Sequence, residues 1–415
     1  MSTRSVVRMG GGTPAVDISH GRGLYVWDVD DRRYIDCTSQ SWASYLGHAN
    51  PELAAQIVRQ TERLWHAHQG FGTREREKFA HDLLRLVPGN DDYTVYDKVS
   101  FTATSALAIE TAIKLAVLHG NGRKTIARLT GSFHGTTLGV APLSWPANAE
   151  VSPERRTLAA FAGLGVPSFT LTFPIESEPR SEQLDQLEAE LSSHRSELLA
   201  VIVEPIQGSG GQRTVPDWWL SHLSQLAREI GIYVIYDEIQ TYMRPGRYLT
   251  DVERHLPDFI CLGKGLAGGL ACGAVLARRG SESFPTGGVY DLHTFASSPL
   301  SHSVGSKLIE IVERDSILEN ARERGSQLRD GLKHIAASHP EVVEVRQVGL
   351  HIGIEIDRTA GRSAADLRVR AMSNGLLVGL GGFAPDVLKI KPPLNITATQ
   401  ADEVLEHLQM TFASA

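Results

Sequence analysis

Two kinds of hydrophobic pattern alternate along this chain. Uninterrupted apolar runs at 199–203, 232–236 and 259–262 are too short for a packed helix and rich in residues that favour strands, which predicts strands buried on both faces, and 125–129 reads as a further strand. Between them, apolar residues recur every three or four positions. In 98–118 a strand passes through a turn of small residues into a helix whose Ile109, Ala112, Ile113, Ala116 and Val117 share one face. After Pro216, Trp219, Leu220, Leu223, Leu226, Ala227 and Ile230 do the same, and Gly231 closes that helix. Strands alternating with helices at this spacing predict an α/β fold around a large, doubly wound, mostly parallel sheet.

The flanks read differently. Residues 24–29 and 33–36 bracket Asp30-Asp31 and suit a hairpin, and Pro51 opens a helix over 52–64. A Pro- and charge-containing excursion occupies much of 145–197, with a helical stretch near 181–193. Beyond Pro299 a long helical region extends to about residue 338, followed by a strand at 349–356 and a helix near 364–374. A last helix from about residue 398 carries Val404, Leu405, Leu408 and Phe412 on one side. These tail elements predict a second, smaller α+β unit.

Composition narrows the function classes. With 415 residues, 42% apolar and 21% charged, the chain resembles an ordinary globular enzyme of one large and one smaller domain. A net charge of −7 and the lack of any basic run argue against nucleic acid as a partner. No apolar stretch approaches membrane-spanning length and residues 1–14 hold no apolar leader core, so no membrane partner and a cytoplasmic location are expected. The three cysteines, Cys37, Cys261 and Cys272, are too scattered for a disulfide framework or a zinc site. His66-Ala67-His68 has no third ligand nearby, so no metal is expected.

The candidate chemistry sits at the ends of two apolar runs. Asp237-Glu238 follows 232–236 at once, which puts Asp237 on the C-terminal lip of a strand, where open parallel sheets form their ligand crevice. The run 259–262 ends in Gly263-Lys264-Gly265, a lysine with little crowding around it. Glycine and magnesium-ligand positions rule out a phosphate-binding P-loop there. A separation of 27 residues lets Asp237 and Lys264 face one crevice. Acid plus lysine is what a pyridoxal-phosphate (PLP) site requires: the amine forms a Schiff base with the aldehyde, and the carboxylate keeps the pyridine nitrogen protonated. The plainer alternative is a surface lysine in a turn and an acid capping a helix. Thr104-Ser105-Ala106 begins the helix of 98–118, a place suited either to a phosphate or to an ordinary N-cap. Trp42 and Tyr45 lie in a punctuated polar loop, where an aromatic either lines a pocket or staples the loop to the core.

Taken in order, these motifs resemble the class III aminotransferases, a fold-type-I PLP family, from about Gly23 to Leu408. The resemblance implies that Asp237, in Asp237-Glu238-Ile239-Gln240, pairs with the pyridine nitrogen and that Gln240 touches the ring hydroxyl. Lys264 matches the Schiff-base lysine. Phe133-His134-Gly135 matches the segment whose aromatic stacks on the cofactor. Ser105 and Ala106 fall in the phosphate turn. Thr294 matches a threonine that reaches the phosphate of a neighbouring subunit, which implies a homodimer with shared sites. Glu204-Pro205 and Gly349-Leu350 match further landmarks. The implied division is 1–48 as the N-terminal part of the small domain, 49–309 as the PLP-binding domain and 310–415 as the C-terminal part of the small domain.

Several positions depart from the pattern. The phosphate turn, usually Ser-Gly-Ser/Thr-Glu-Ala, reads Thr104-Ser105-Ala106-Leu107-Ala108, and only Arg244 and Gly246 survive of a Gly-x-Gly-Arg-Thr-Gly segment. Where many members carry an arginine that forks around the substrate carboxylate, this chain has Lys389, a point charge without the fork. Ser209 stands where several members place a glutamate, and Trp42 where ω-amine enzymes place a pocket aromatic. The expected function is transfer of an amino group from an amine or amino acid to a keto acid or aldehyde. Decarboxylation, phospho-lyase elimination and racemisation on the same fold are the alternatives, with a non-catalytic PLP-fold protein behind them.

Overall fold

The computed structural model describes residues 16–145, 160–161, 163–281, 291–359 and 361–413. Residues 1–15, and 146–159 of the excursion, lie outside the described residues. The central sheet has seven strands in the order Tyr96–Thr102, Gly273–Arg278, Phe259–Leu262, Tyr233–Asp237, Leu198–Val203, Thr125–Leu129 and Ser168–Leu171. From Phe259–Leu262 to Ser168–Leu171 all neighbours run parallel, while Gly273–Arg278 is antiparallel to both of its neighbours. That antiparallel strand escapes a reading by pattern because its Gly, Ala and Arg content is a poor strand signature.

Every residue of Leu198–Val203 is buried, as continuous apolar runs in a sheet covered on both faces should be. Each such Leu, Val or Ile side chain contributes roughly 1.5–3 kcal/mol. Helix Ser105–His119 packs on Gly273–Arg278 and Phe259–Leu262, burying Ile109, Ala112, Ile113 and Ala116 as their spacing predicts. Helix Asp217–Ile230 buries Trp219, Leu220, Leu223 and Ala227, and Gly231 ends it with a left-handed φ of 70°. The parallel strands all point their C-terminal ends the same way, so Asp237, last residue of its strand, and Lys264, two residues past Leu262, reach the same rim.

Two four-stranded sheets accompany the central one. In the first, Ile18–Arg22, Tyr25–Asp28 and Arg33–Asp36 are joined by Leu376–Leu377, which runs parallel to Arg33–Asp36 with Leu376 opposite Ile35. The two ends of the chain thus share one sheet. The second sheet orders Val342–Val348, His351–Ile356, Val387–Ile390 and Gly379–Leu380, and Lys389 lies on its Val387–Ile390 strand between Gly353 and Gly379.

Two expectations need adjusting. The strand at 349–356 begins at His351 instead, because Gly349 turns at φ 56° and an added Cβ there would lie 2.4 Å from the Arg244 carbonyl oxygen. The helical region after Pro299 is two helices, Pro299–Arg314 and Ile317–Ser338, separated where Ser316 takes φ 51°.

Candidate active site

At the acid end of the site both carboxylate oxygens have a hydrogen-bond partner. Asp237 is buried at the strand end, with Oδ1 accepting the Ile239 N–H at 3.0 Å and Oδ2 2.7 Å from Nδ1 of the buried His134. Its neighbour Glu238 turns away: it accepts from the Thr241 hydroxyl, from Thr250 N at 2.6 Å and from the Thr250 hydroxyl at 3.1 Å, and burial raises its pKa to about 7. Of the two adjacent carboxylates, therefore, only Asp237 serves the crevice.

Glu204 is a tie between segments. Its two oxygens accept Phe133 N at 2.8 Å and Gly208 N at 2.9 Å, joining the aromatic segment to the glycine-rich loop. Burial pushes its carboxyl upward. Gly135, at φ 121°, brings that segment onto the start of helix Ser105–His119, where an added Cβ would sit 2.8 Å from the Ala106 Cβ. The Thr104 hydroxyl caps Leu107 N at 3.5 Å, while the N–H groups of Ser105 and Ala106 belong to the first turn and have no partner within the helix.

Lys264 stands next to that turn. Its backbone N–H donates to the Ser105 hydroxyl at 3.3 Å, and Gly263 leaves no room for a side chain, since a Cβ would fall 2.2 Å from Ser105 Oγ. Lys264 itself takes φ 49°, a left-handed conformation that costs a non-glycine residue of order 1–3 kcal/mol. Burial lowers its amine pKa, partly offset by Asp237 and Glu204. These features fit PLP: a helix N-terminus with free N–H groups for the phosphate, a buried carboxylate for the ring nitrogen and a lysine of reduced basicity between them.

The other end of the site is built from cations. Lys389 is buried, and its Nζ lies 4.8 Å from the centre of the Trp42 ring. Burial and the nearby Lys264 bring its pKa down to about 7. Lys391, fully buried, also stands 4.8 Å from the Trp42 ring; it donates to Gln240 Oε1 and lies 3.4 Å from His351 Nε2. Gln240 is pinned against Gly208, whose Cβ would overlap its amide at 2.2 Å. Ser209 is buried and its carbonyl accepts from Phe383 N at 3.1 Å, next to the same sheet. Arg244, also fully buried, donates to the Pro392 carbonyl at 2.9 Å and covers the Tyr45 ring at 5.0 Å.

The loop question thus divides. Tyr45 is fully buried under Arg244 and staples the loop, whereas Trp42 turns its ring to the two lysines. It does so through consecutive positive φ values from Ser39 to Trp42. Thr294 is exposed.

Of the residues that sequence reading singles out, Asp237, Lys264, Phe133, His134, Ser105, Ala106, Gln240, Trp42, Ser209 and Lys389 converge on one rim or its immediate support, and Thr294 is not among them. It passes over Lys391 and His351. The available signal was the period of two along a strand, which puts residues 389 and 391 on the same face. A separate cavity of about 420 Å³ lies at the opposite end of the strands, around Tyr233, His255, Asp258 and Arg278.

Comparison with known proteins agrees with this geometry. The family model described as aminotransferase class-III matches residues 7–412. The acetylornithine aminotransferase of Thermosynechococcus vestitus is 31% identical over 413 residues, covering 96% of this chain and 93% of that protein. The solved N-acetylornithine aminotransferase of Stenotrophomonas maltophilia superposes with a TM-score of 0.75 at 26% identity, over 95% of each chain. The taurine:2-oxoglutarate aminotransferase of Bifidobacterium kashiwanohense, solved with PLP and glutamate, shares the fold at a TM-score of 0.85 and 23% identity, over 99% of this chain and 94% of that one. This chain belongs to the class-III aminotransferases and is a PLP-dependent aminotransferase of fold type I.

Proposed function

We propose that the amine donor of this aminotransferase carries an acidic group held by Lys389 as a point charge, and that the acceptor is a keto acid or aldehyde. The observation that carries this reading is a buried Lys389 with no carboxylate within ion-pair distance among the described residues, facing Trp42 beside Lys264. A buried cation without a partner is costly, and an anionic substrate group relieves that cost. The lysine lacks the planar fork that selects an α-carboxylate, so the donor is not restricted to ordinary α-amino acids.

When bound, PLP supplies an aldehyde for an amine and an electron sink for the donor carbon. Lys264 Nζ is the group that moves the proton, and burial, by lowering its pKa, favours the neutral amine that acts as base. Asp237 would hold the ring nitrogen protonated, and His134 fixes the orientation of that carboxylate. The N–H groups of Ser105 and Ala106 would take the phosphate, with Phe133 available to the ring and Gln240 to its hydroxyl. Trp42 and Ser209 bound the donor.

A homodimer with shared sites is part of the same reading. Trp65, Phe71 and Phe295 are 67%, 70% and 67% exposed, an unusual density of surface aromatics, and His66 packs on Phe295 at 5.6 Å beside the exposed Thr294. Thr294 would then serve the neighbouring subunit's phosphate. A small domain drawn from both ends of the chain is supported by the sheet that unites Arg33–Asp36 with Leu376–Leu377, while helix Pro299–Arg314 runs across the boundary read at residue 309. A cytoplasmic location is supported by the lack, among the described residues, of any helix long and apolar enough to cross a membrane.

The test is a donor screen with pyruvate and 2-oxoglutarate as acceptors, including N-acetylornithine and matched donors with and without an acidic group, on wild type and Lys389→Met. The reading expects kcat/KM for acidic donors to fall at least tenfold more than for neutral ones. Equal losses would make Lys389 structural. Sedimentation of wild type and Phe295→Asp tests the dimer, which the charge should dissociate.

A further inference from the structure

The loop that carries Trp42 is held in a conformation that its residues do not favour. Ser39, Gln40, Ser41 and Trp42 take φ values of 42°, 45°, 61° and 71°, four consecutive non-glycine residues in the left-handed region. Such backbone is costly for a residue with a side chain, most of all a bulky one, and it persists only where surrounding bonds dictate it. Here the bonds converge on Asp36.

Asp36 ends the strand Arg33–Asp36 and is fully buried. Its Oδ1 accepts the Thr38 N–H at 2.9 Å and the Thr38 hydroxyl at 2.6 Å. Its Oδ2 accepts the Gln40 side-chain amide at 3.2 Å and lies 2.9 Å from His48 Nε2. Burial works to raise the pKa of this carboxyl, but the donors of His48 and Thr38 outweigh it and hold the group below its ordinary value, as a carboxylate. The Thr38 hydroxyl in turn accepts the Gln40 N–H at 3.2 Å, and the Thr38 carbonyl accepts the Trp42 N–H at 2.9 Å. The run is thus tied to Asp36 at Gln40, directly and through Thr38, and at Trp42 through Thr38.

The same sheet sets the surface that the indole meets. Asp36 lies opposite Leu377 in the parallel strand pair. Two residues further on, Gly379 lets the ring approach so closely that an added Cβ would sit 2.4 Å from Trp42 Cη2. Ring and backing are therefore placed from one strand pair, with the Lys389 amine 4.8 Å from the ring centre. What the strained run achieves is the direction of that ring, and stored backbone strain clusters where a site needs such a direction.

We propose that Asp36, acting through Thr38, is a positioning residue for donor selectivity, holding the left-handed run so that Trp42 faces the donor. This rests on the reading that Trp42 bounds the donor.

The experiment uses the PLP-loaded enzyme and has two readouts. In enzyme labelled with 5-fluorotryptophan, the fluorine resonance lost in Trp42→Phe assigns Trp42 among the six tryptophans. In unlabelled enzyme, selectivity is the relative rate at which methoxyamine, aminooxyacetate and O-benzylhydroxylamine react with the bound cofactor, followed by its absorbance. Asp36→Asn keeps the shape of the side chain but leaves one acceptor oxygen where donors now meet two. It should move the Trp42 resonance and change the ratio of aminooxyacetate to O-benzylhydroxylamine by about tenfold, in the direction that Trp42→Ala changes it. Methoxyamine, too small to meet the wall, should keep its rate in both variants. Thr38→Val removes the bridging hydroxyl without touching a buried charge; it should act in the same direction to a smaller degree, and it carries the test if Asp36→Asn does not fold. A wild-type ratio in Trp42→Ala overturns the reading that Trp42 bounds the donor, and this proposal with it. A changed ratio in Trp42→Ala beside an unchanged ratio in the Asp36 and Thr38 variants overturns the role of Asp36 alone, whether or not the resonance moves. Equal slowing of all three reagents in those variants marks a general loss of structure and overturns that role as well.

Discussion

At the cofactor end, Asp237 is met by His134 and by the Ile239 N–H, and Glu204 by two backbone donors, so each carboxylate is oriented before any ligand arrives. At the substrate end, Lys389 has the face of Trp42 and no counter-ion among the described residues, and Lys391 rests on two neutral side chains. Both regions are buried, but only the first is electrostatically complete within the protein. The difference teaches how the two ligands are treated. On the proposed reading, a resident cofactor is met by oriented carboxylates, while the exchanging substrate is met by a charge that it must complete.

Changes at Lys264 should break the first region most severely. Lys264→Ala is expected to lower turnover by at least about 10³-fold, since proton transfer at that amine is lost. The variant should still bind PLP non-covalently, read as retained cofactor after dialysis without the absorbance of the lysine adduct. Asp237→Asn comes next, with turnover lower by about 10²–10³-fold and cofactor binding weaker by about 1.5–3 kcal/mol. Steady-state rates and equilibrium dialysis measure the two effects. Normal transamination by this variant would show that Asp237 does not serve the ring.

A pair of substitutions sets the regions directly against each other in the ligand-free protein. His134→Ala leaves a buried carboxylate oxygen unmatched and should destabilise the fold by about 1–3 kcal/mol. Lys389→Met removes an unpaired buried amine and should leave stability unchanged or raise it. Urea titrations of both variants should therefore move in opposite directions, and a parallel loss would erase the contrast.

The smallest effect is the pH dependence. Lys389 has a pKa of about 7 in the folded state and 10.5 as its ordinary value. Between those values the unfolded chain binds more protons, so this group makes stability rise with pH, by at most about 1.4 kcal/mol per unit. The burial cost is present in full below pH 7 and is relieved toward pH 10.5. Lys389→Met should flatten that slope. Because the charged amine persists only below about pH 7, KM for acidic donors should rise as the solution is made alkaline.

Asp237 and Lys264 are legible from sequence because strand ends fix them: each closes a short apolar run, and parallel strands bring such ends to one rim. Helix Ser105–His119 is legible for a similar reason, since its apolar spacing is local. Lys391 and His351 are not, because their relation depends on the register of two strands and on Gln240, 151 residues away from Lys391. The left-handed run at Ser39–Trp42 is equally hidden, as Gln, Ser and Trp give no sign of positive φ. The break at Ser316 and the antiparallel Gly273–Arg278 strand share that cause: tertiary packing overrides weak local preference.

The sheet joining Arg33–Asp36 to Leu376–Leu377 has a consequence for how the enzyme comes into being. On the ribosome, the strands that present Asp237 and Lys264 emerge long before Leu376–Leu377, Lys389 and Lys391. Domains generally fold as they are made, from the N-terminus onward. The cofactor cradle can therefore assemble on a nascent chain whose first strands still wait for their last neighbour. On the proposed reading, the residues that discriminate between substrates are the last part of the site to leave the ribosome.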